Sequence, residues 1–74
     1  MWNLEGKQVT GTYLDEFPVV GKVWLSRVAY GGTVQHHVTL NEPLQVYGRI
    51  ANVVILKHSE VETVKDLNGF ELSP

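Results

Sequence analysis

The fold is decided by residues 19–40, which read VVGKVWLSRVAYGGTVQHHVTL. Two runs of alternating apolar and polar residues flank the pair Gly31-Gly32. Glycines between such runs are typical of a tight β-hairpin, because the central positions of its turn need positive φ. The segment therefore predicts a long strand from Val19 to Tyr30, a two-residue turn, and a returning strand from Val34 to Leu40.

The parity of apolar residues changes inside the first of these strands. Its inner face is predicted to hold the residues that are all apolar or small, namely Val19, Gly21, Val23 and Leu25. After Ser26 the apolar residues Val28 and Tyr30 have the opposite parity. We therefore expect a bulge or sharp bend at Ser26-Arg27, the feature by which a short sheet curls into a barrel.

The rest of the chain is interpreted as further short strands separated by turn residues. These strands are Gln8–Tyr13, Leu44–Tyr47, Val53–Lys57 and Glu60–Val64. The run at 53–57 is continuously apolar up to its lysine, which predicts a strand buried on both faces. For residues 60–64, a helix of one or two turns is the competing interpretation. Gly11 indicates a bulge or a close approach of the backbone within the first strand.

The connecting segments carry Gly, Pro and Asn. Residues 14–18 are predicted to be a loop, 41–43 a turn, and 48–52 a turn or a single helical turn. Residues 65–74 are expected to be an irregular segment that packs on the barrel through Leu67, Phe70 or Leu72.

Together these elements predict an all-β fold of five or six short antiparallel strands, a small barrel of the SH3-like or OB-like type. The 74 residues form one domain, residues 1–74. A core of this size gives marginal stability, and the chain has no cysteine to form disulfides. Self-association is therefore an expected route to further stability.

Two resemblances accompany this interpretation. The order of a long bent second strand, a tight hairpin and the strand Val61-Glu62-Thr63-Val64 resembles small SH3-like barrels. The stretch from Ser26 to Gly32, continued through Tyr47-Gly48-Arg49, is similar to small uncharacterised proteins of tailed-phage genomes. The second resemblance covers roughly the middle third of the chain. It implies a small phage accessory protein of unassigned role and brings no catalytic residue with it.

Charge is unevenly distributed along the chain, whose formal net charge is −2. Residues 20–58 carry four basic residues and one acidic residue, whereas the last fifteen carry four acidic and one basic. Nonspecific binding to nucleic acid needs clustered positive charge, so the whole chain disfavours that partner although its centre is basic.

The N-terminus lacks the basic start and apolar run of a signal peptide. No apolar stretch approaches the roughly 20 residues that span a bilayer. These features predict a cytoplasmic protein with no membrane partner, in the cytoplasm of the host cell if a phage encodes it.

No catalytic or metal-binding pattern stands out. His36 and His37 are adjacent on a strand and point to opposite faces, so they cannot chelate one metal ion together. His36 and His58 could share an ion only if their strands pair. No Gly-x-Ser-x-Gly motif surrounds a serine. We therefore expect neither an enzyme nor a protein that needs a cofactor or a metal, with one half-buried core histidine and two at the surface.

Large aromatic residues and arginines are the remaining signal, because Trp, Tyr and Arg are enriched at the centres of protein interfaces. The candidate interaction surface consists of Trp24, Arg27, Tyr30, Tyr47 and Arg49. On the predicted register Trp24 points away from the inner row. The expected function is noncatalytic binding through protein–protein contact, with an unidentified protein or with a second copy of the chain. The alternative is single-stranded nucleic-acid binding, in which these residues act together with Lys22 and Lys57.

Overall fold

The computed structural model describes residues 2–66 and 68–72. The described residues form six strands and one short 3-10 helix. The strands are β1 (Gln8–Tyr13), β2 (Phe17–Val28), β3 (Val34–Val46), β4 (Arg49–Lys57), β5 (Val61–Lys65) and β6 (Glu71–Leu72). The 3-10 helix, His58–Glu60, connects β4 to β5.

All strand pairs are antiparallel and join one sheet in the order β4-β3-β2-β1-β5-β6. The first four strands form a meander, after which the 3-10 helix carries the chain back to the free side of β1. The sheet curls so that Gly11 of β1 lies against Leu56 of β4. A Cβ atom at Gly11 would approach Leu56 Cδ1 to 3.1 Å and the carbonyl oxygen of Glu60 to 2.5 Å. The predicted all-β fold with antiparallel strands is confirmed, as is the close approach at Gly11.

The core is aliphatic and consists mainly of valine, whose branched side chain packs well on a pleated surface. Its buried members are Leu4, Val9, Val19, Val23, Val38, Val54, Leu56, Val61 and Val64. The predicted inner row of β2 is correct from Val19 to Val23. Gly21 within it is required, because a Cβ atom there would collide with the backbone of Thr39 and the side chain of Val38.

The bulge in β2 lies at Trp24, two residues before the predicted position. Val23 pairs with Val38 and Leu25 pairs with His37, so Trp24 has no partner residue in β3. The backbone of Val23 is also bonded to the segment before β1, accepting from Gly6 N–H at 2.7 Å and donating to the Lys7 carbonyl at 3.0 Å.

Beyond the bulge Ser26 points into the core, and Leu25, predicted on the inner face, is half-buried opposite His37. Val28 and Tyr30, which the parity change predicted to face inward, are exposed. The inner face is occupied there by polar side chains instead.

The β2–β3 and β3–β4 connections of the meander differ from the prediction. At the β2–β3 connection, Ala29 N–H donates to the Thr33 carbonyl at 2.7 Å, which leaves a three-residue loop, 30–32, with positive φ at Gly31 and Gly32. The two-residue turn lies instead between β3 and β4, at Tyr47-Gly48, where φ is 47° and 82°. The predicted turn at 48–52 is therefore wrong, because the chain reverses earlier.

Strand β3 continues through the segment 41–43, which was predicted to be a turn. The register with β4 shifts there, from Thr39 opposite Val53 to Leu44 opposite Ala51. The segment is thus an irregularity within a strand. Strand β4 is buried on one face only, since Val54 and Leu56 lie in the core whereas Val53 and Ile55 are exposed. The prediction of burial on both faces is wrong.

Boundaries elsewhere are close to those predicted. The β1–β2 loop is shorter, because Phe17 and Pro18 belong to β2. The strand predicted at Glu60–Val64 is found at Val61–Lys65, whereas Glu60 ends the 3-10 helix. The prediction of an irregular C-terminal segment is wrong in part, because Lys65 ends β5 and Glu71–Leu72 forms β6, paired with β5. Leu72 packs against the core as predicted, and Phe70 is exposed. Leu67 lies outside the described residues. Within those residues no helix has the length and apolar character needed to cross a membrane.

Candidate functional site

On the face of β2, β3 and β4 that points away from the core we select ten side chains and call them the outer face. The antiparallel register aligns nine of them in three rows: Lys22, Thr39 and Val53; Leu25, His37 and Ile55; Arg27, Gln35 and Lys57. The tenth is Trp24, which the bulge places beside His37. Because these residues lie on hydrogen-bonded strands over the core, the backbone fixes their positions.

Exposed apolar side chains lie on both sides of the central His37 and Thr39 of the outer face. Trp24 is 56% exposed, Val53 47% and Ile55 46%. The indole of Trp24 packs edge-on to the imidazole of His37, with ring centroids 5.3 Å apart and an interplanar angle of 67°. Exposed apolar residues that are scattered singly need no explanation, but these three share one sheet face, with Trp24 on β2 and Val53 and Ile55 on β4 on either side of His37 and Thr39.

Three basic side chains of the outer face, Lys22, Arg27 and Lys57, are exposed. Two carboxylates border it at the end of Lys57, where Asp15 and Glu60 line a groove with Ile55 and Lys57, so the basic side chains next to Trp24 are Lys22 and Arg27. The whole chain has eight acidic and six basic residues, so the positive charge of this face is a local feature. The outer face is therefore suited to an anionic or acidic partner.

A shallow groove of about 540 Å³ runs beside Trp24. It is lined by Lys22 and Trp24 from β2, by Thr39, Leu40 and Asn41 at β3, and by Gly6. The groove continues the apolar surface of Trp24 toward the polar groups of β3. It thus offers a concave place for a side chain of a partner.

His37 contributes a buried polar atom to this region. Its Nε2 atom is shielded from solvent and has no hydrogen-bond partner among the described residues. Buried polar atoms of native proteins are usually paired, so an unpaired one needs a reason. The imidazole of His37 is in edge-on aromatic contact with the indole of Trp24.

The structure divides the predicted interaction residues between two ends of the sheet. Trp24 and Arg27 lie on the outer face. Tyr30, fully exposed, precedes β3, whereas Tyr47 and Arg49 follow it at the β3–β4 turn. All five are exposed, but residues at opposite ends of a thirteen-residue strand do not form one surface.

Tyr47 has local partners of its own. Its hydroxyl donates to the carboxylate of Glu16 at 2.8 Å, and its ring packs edge-on to Phe17 with centroids 5.7 Å apart. The pKa of Tyr47 is raised, because the phenol loses this hydrogen bond and meets the charge of Glu16 when it ionises. The contact joins the β3–β4 turn to the start of β2.

The sequence interpretation missed Val53 and Ile55 as members of the outer face. In a run where every residue is apolar, the alternation that distinguishes a buried from an exposed face is absent. Their face follows from the pairing of β4 with β3, where His37 stands opposite Ile55, and that pairing is seen in the structure and not in the sequence.

A chain of polar groups lies on the opposite, inner side of the sheet. His36 is fully buried, its Nδ1 atom lies 2.7 Å from Ser26 Oγ, and its Nε2 atom lies 2.9 Å from Nδ1 of His58. Ser26 Oγ also accepts Leu4 N–H at 3.0 Å. Full burial contradicts the expectation of a half-buried core histidine. Two surface histidines were also expected, but His37 and His58 are both partly buried.

The hydrogen bonds of Ser26, His36 and His58 determine which atom carries each proton. Since Ser26 Oγ accepts from Leu4, its own proton is directed to Nδ1 of His36. The Nε2–H of His36 then donates to His58, and each group is satisfied. The pKa of His36 is lowered to about 4, first by burial and second by the neighbouring charge of His58.

The hydrogen bonds of Ser26 hold the N-terminal segment against β2. Ser26 is buried and its hydroxyl holds the N-terminal segment, while its N–H donates to the carboxylate of Glu5 at 2.9 Å. The two facing imidazole nitrogens of His36 and His58 are bonded to each other. Over residues 2–66 and 68–72 no group of three or more His, Cys, Asp or Glu could hold a metal ion.

Comparison of the chain with protein-family models, with curated proteins and with solved structures finds no match in any of the three. Function is therefore inferred from the outer face itself.

Proposed function

We propose that this protein is a noncatalytic binding module that acts through protein–protein contact, and that the outer face is its contact surface. The observation that carries the proposal is the cluster of exposed Trp24, Val53 and Ile55 on one sheet face. Contiguous exposed apolar surface on a small domain marks an interaction site. Trp and Arg at such a surface are the residues that most often dominate binding energy.

The scaffold supports this role. A rigid sheet lies behind the outer face, because Val23, Val38 and Val54 of the same three strands are buried in the core. A surface that is already ordered loses little conformational freedom on binding. The side chains that face a partner are thus held before the partner arrives.

The proposed barrel type is SH3-like. It is supported by the four-stranded meander, the 3-10 helix after β4 and the return of β5 to β1. The resemblance of the middle third of the chain to tailed-phage proteins supports a role as a phage accessory protein. Its task in that role is contact with another protein.

Single-stranded nucleic acid is the second candidate, favoured by the three basic residues of the outer face, Lys22, Arg27 and Lys57. Proteins of that kind stack successive bases on aromatic rings within a basic groove. The outer face has one exposed indole, and its other exposed apolar residues are aliphatic. Aliphatic groups favour a protein partner over bases.

The proposal is tested by site-specific photo-crosslinking of the full chain in the cells that produce it. A photoreactive amino acid replaces Val53 on the outer face or, as a matched control, Glu62 on β5, which is also exposed. We expect a discrete protein adduct from position 53 that is absent from position 62 and lost with Trp24→Ala. Equal adducts from both positions, or none from position 53, would refute the proposal. Nuclease-sensitive adducts would favour the second candidate.

A further inference from the structure

We infer that the partner of the outer face is an acidic protein segment in extended conformation, with two carboxylates four residues apart and an apolar side chain between them. The inference rests on the proposed function, since it names the chemistry of the partner for the same surface. The observation behind it is the position of the basic residues relative to the exposed side chain of Trp24.

The spacing follows from the strand register. Lys22 stands opposite Thr39, and Arg27 stands opposite Gln35, four residues away along β3. Four residues of a strand span about 13 Å. The exposed side chain of Trp24 lies between these two basic residues along β2. An extended segment that runs along β2 therefore brings carboxylates at positions i and i+4 to the basic residues while its residue i+2 meets Trp24.

Lys57, on β4, adds positive charge to the same face. It lies in the row of Arg27 and Gln35, so two of the three basic side chains are at one end of the outer face. Opposite charges across an interface increase the rate of encounter and fix the orientation of the partner. Asp15 and Glu60 line a groove with Gln35 and Lys57 at that end and offset part of this positive charge, so Lys22 and Arg27 are the two positions that select the carboxylates.

A second copy of this chain does not supply such a segment. The sequence contains one pair of acidic residues with this spacing, Glu62 and Asp66. The residue midway between them, Val64, is fully buried in the core. Its side chain is therefore not available to meet Trp24, and a different protein is the better fit.

The test is a titration of the ¹⁵N-labelled full chain, followed by NMR chemical shifts, with three synthetic peptides. One has the core Glu-Val-Leu-Val-Glu, and the others carry Gln or Lys in place of both Glu residues. We expect the acidic peptide to shift the Trp24 indole N–H and the amides of Lys22 and Ile55. We expect it to bind about tenfold more tightly than the lysine peptide, with the difference reduced by salt.

Variants with matched charge changes complete the test. Lys22→Glu with Arg27→Glu should reverse the preference in favour of the lysine peptide. Lys65→Glu on β5, which is also exposed, should leave it unchanged. All three positions are at the surface, so the fold is retained and the amide spectrum verifies it.

The outcomes separate this inference from the proposed function. Equal binding of the three peptides overturns the acidic partner and leaves the outer face as a protein contact. The absence of shifts with every peptide also overturns the inference, whereas the crosslinks at position 53 decide the proposed function separately. Shifts produced only by a parallel titration with an oligothymidylate overturn both.

Discussion

The Nε2 atom of His36 lies 2.9 Å from the Nδ1 atom of His58 and is hydrogen-bonded to it. Their rings are tilted by 52° with centroids 5.1 Å apart. These hydrogen bonds continue from His36 to the hydroxyl of Ser26 and from there to the backbone N–H of Leu4. One polar network thus links the N-terminal segment, β2, β3 and the 3-10 helix, and its charge state affects the stability of all four.

The free energy of unfolding is expected to decrease as the pH is lowered, because of His36. Its pKa is lowered from 6.5 to about 4 in the folded state, so the unfolded chain binds this proton first. The contribution is complete above pH 6.5 and is lost as pH falls from 6.5 to 4, where it levels off. The loss amounts to at most about 3 kcal/mol.

Urea unfolding at a series of pH values measures this effect. Acidic residues also titrate in part of this range, so the difference between the wild type and His36→Gln is the relevant quantity. That difference should shrink as the pH is lowered toward 4. A difference that is independent of pH would contradict the assignment of a buried neutral histidine.

Removal of the Ser26 hydroxyl should destabilise the fold. Ser26→Ala leaves Leu4 N–H and Nδ1 of His36 without partners in a buried site. An unpaired buried polar group costs about 1–3 kcal/mol, so we expect a loss of about 2 kcal/mol or more. Ser59→Ala, at an exposed serine, is the control and should change stability by less than about 0.5 kcal/mol. Equal effects of the two substitutions would show that the network contributes nothing.

Adjacent valines of β4 should respond differently to truncation. Val54 is 3% exposed and Val53 is 47% exposed. Val54→Ala removes methyl groups from the core and should cost about 2 kcal/mol, whereas Val53→Ala should cost less than about 1 kcal/mol. Chemical denaturation of both variants compares them directly. The reverse order would mean that β4 is turned over and that the outer face does not exist.

One of the three tyrosines should ionise at a higher pH than usual. The hydrogen bond and the charge of Glu16 raise the pKa of Tyr47 above its ordinary value of 10.0. Glu16→Gln should therefore lower the pKa of Tyr47, the last of the tyrosines to ionise. The titration is followed by the absorbance of the phenolate at about 295 nm. Asp15→Asn, the neighbouring carboxylate, is the control and should leave the titration unchanged. A titration unaffected by Glu16→Gln would exclude the contact.

Local patterns predicted the strands well. The alternation in Gln8–Tyr13 and from Val34 to Leu40 identified both strands, because in a strand successive side chains point to opposite sides. The glycines at 31–32 were recognised as turn residues for the same kind of local reason, their positive φ. What failed was the length of that loop, which depends on the register of β2 with β3.

The position of the bend in β2 was predicted two residues late. The parity of apolar residues points to Ser26, because the pattern assumes that a buried position holds an apolar residue. In the structure Ser26 is buried and satisfied by His36 and Leu4, partners that are ten and twenty-two residues away. The bend lies at Trp24, next to Val23, whose backbone is hydrogen-bonded to Gly6 and Lys7.

The sequence by itself determined the class of this protein: alternating valine-rich runs separated by turn residues can bury an apolar face only as an antiparallel sheet. It also marked Trp24 as a side chain on the outer side of β2. Only the tertiary structure decided that Val53 and Ile55 join it, that Tyr47 and Arg49 do not, and that His36 meets His58. Those relationships depend on strand register and on the curl of the sheet, which are set by contacts between residues distant in the chain and so leave no periodic signal in it.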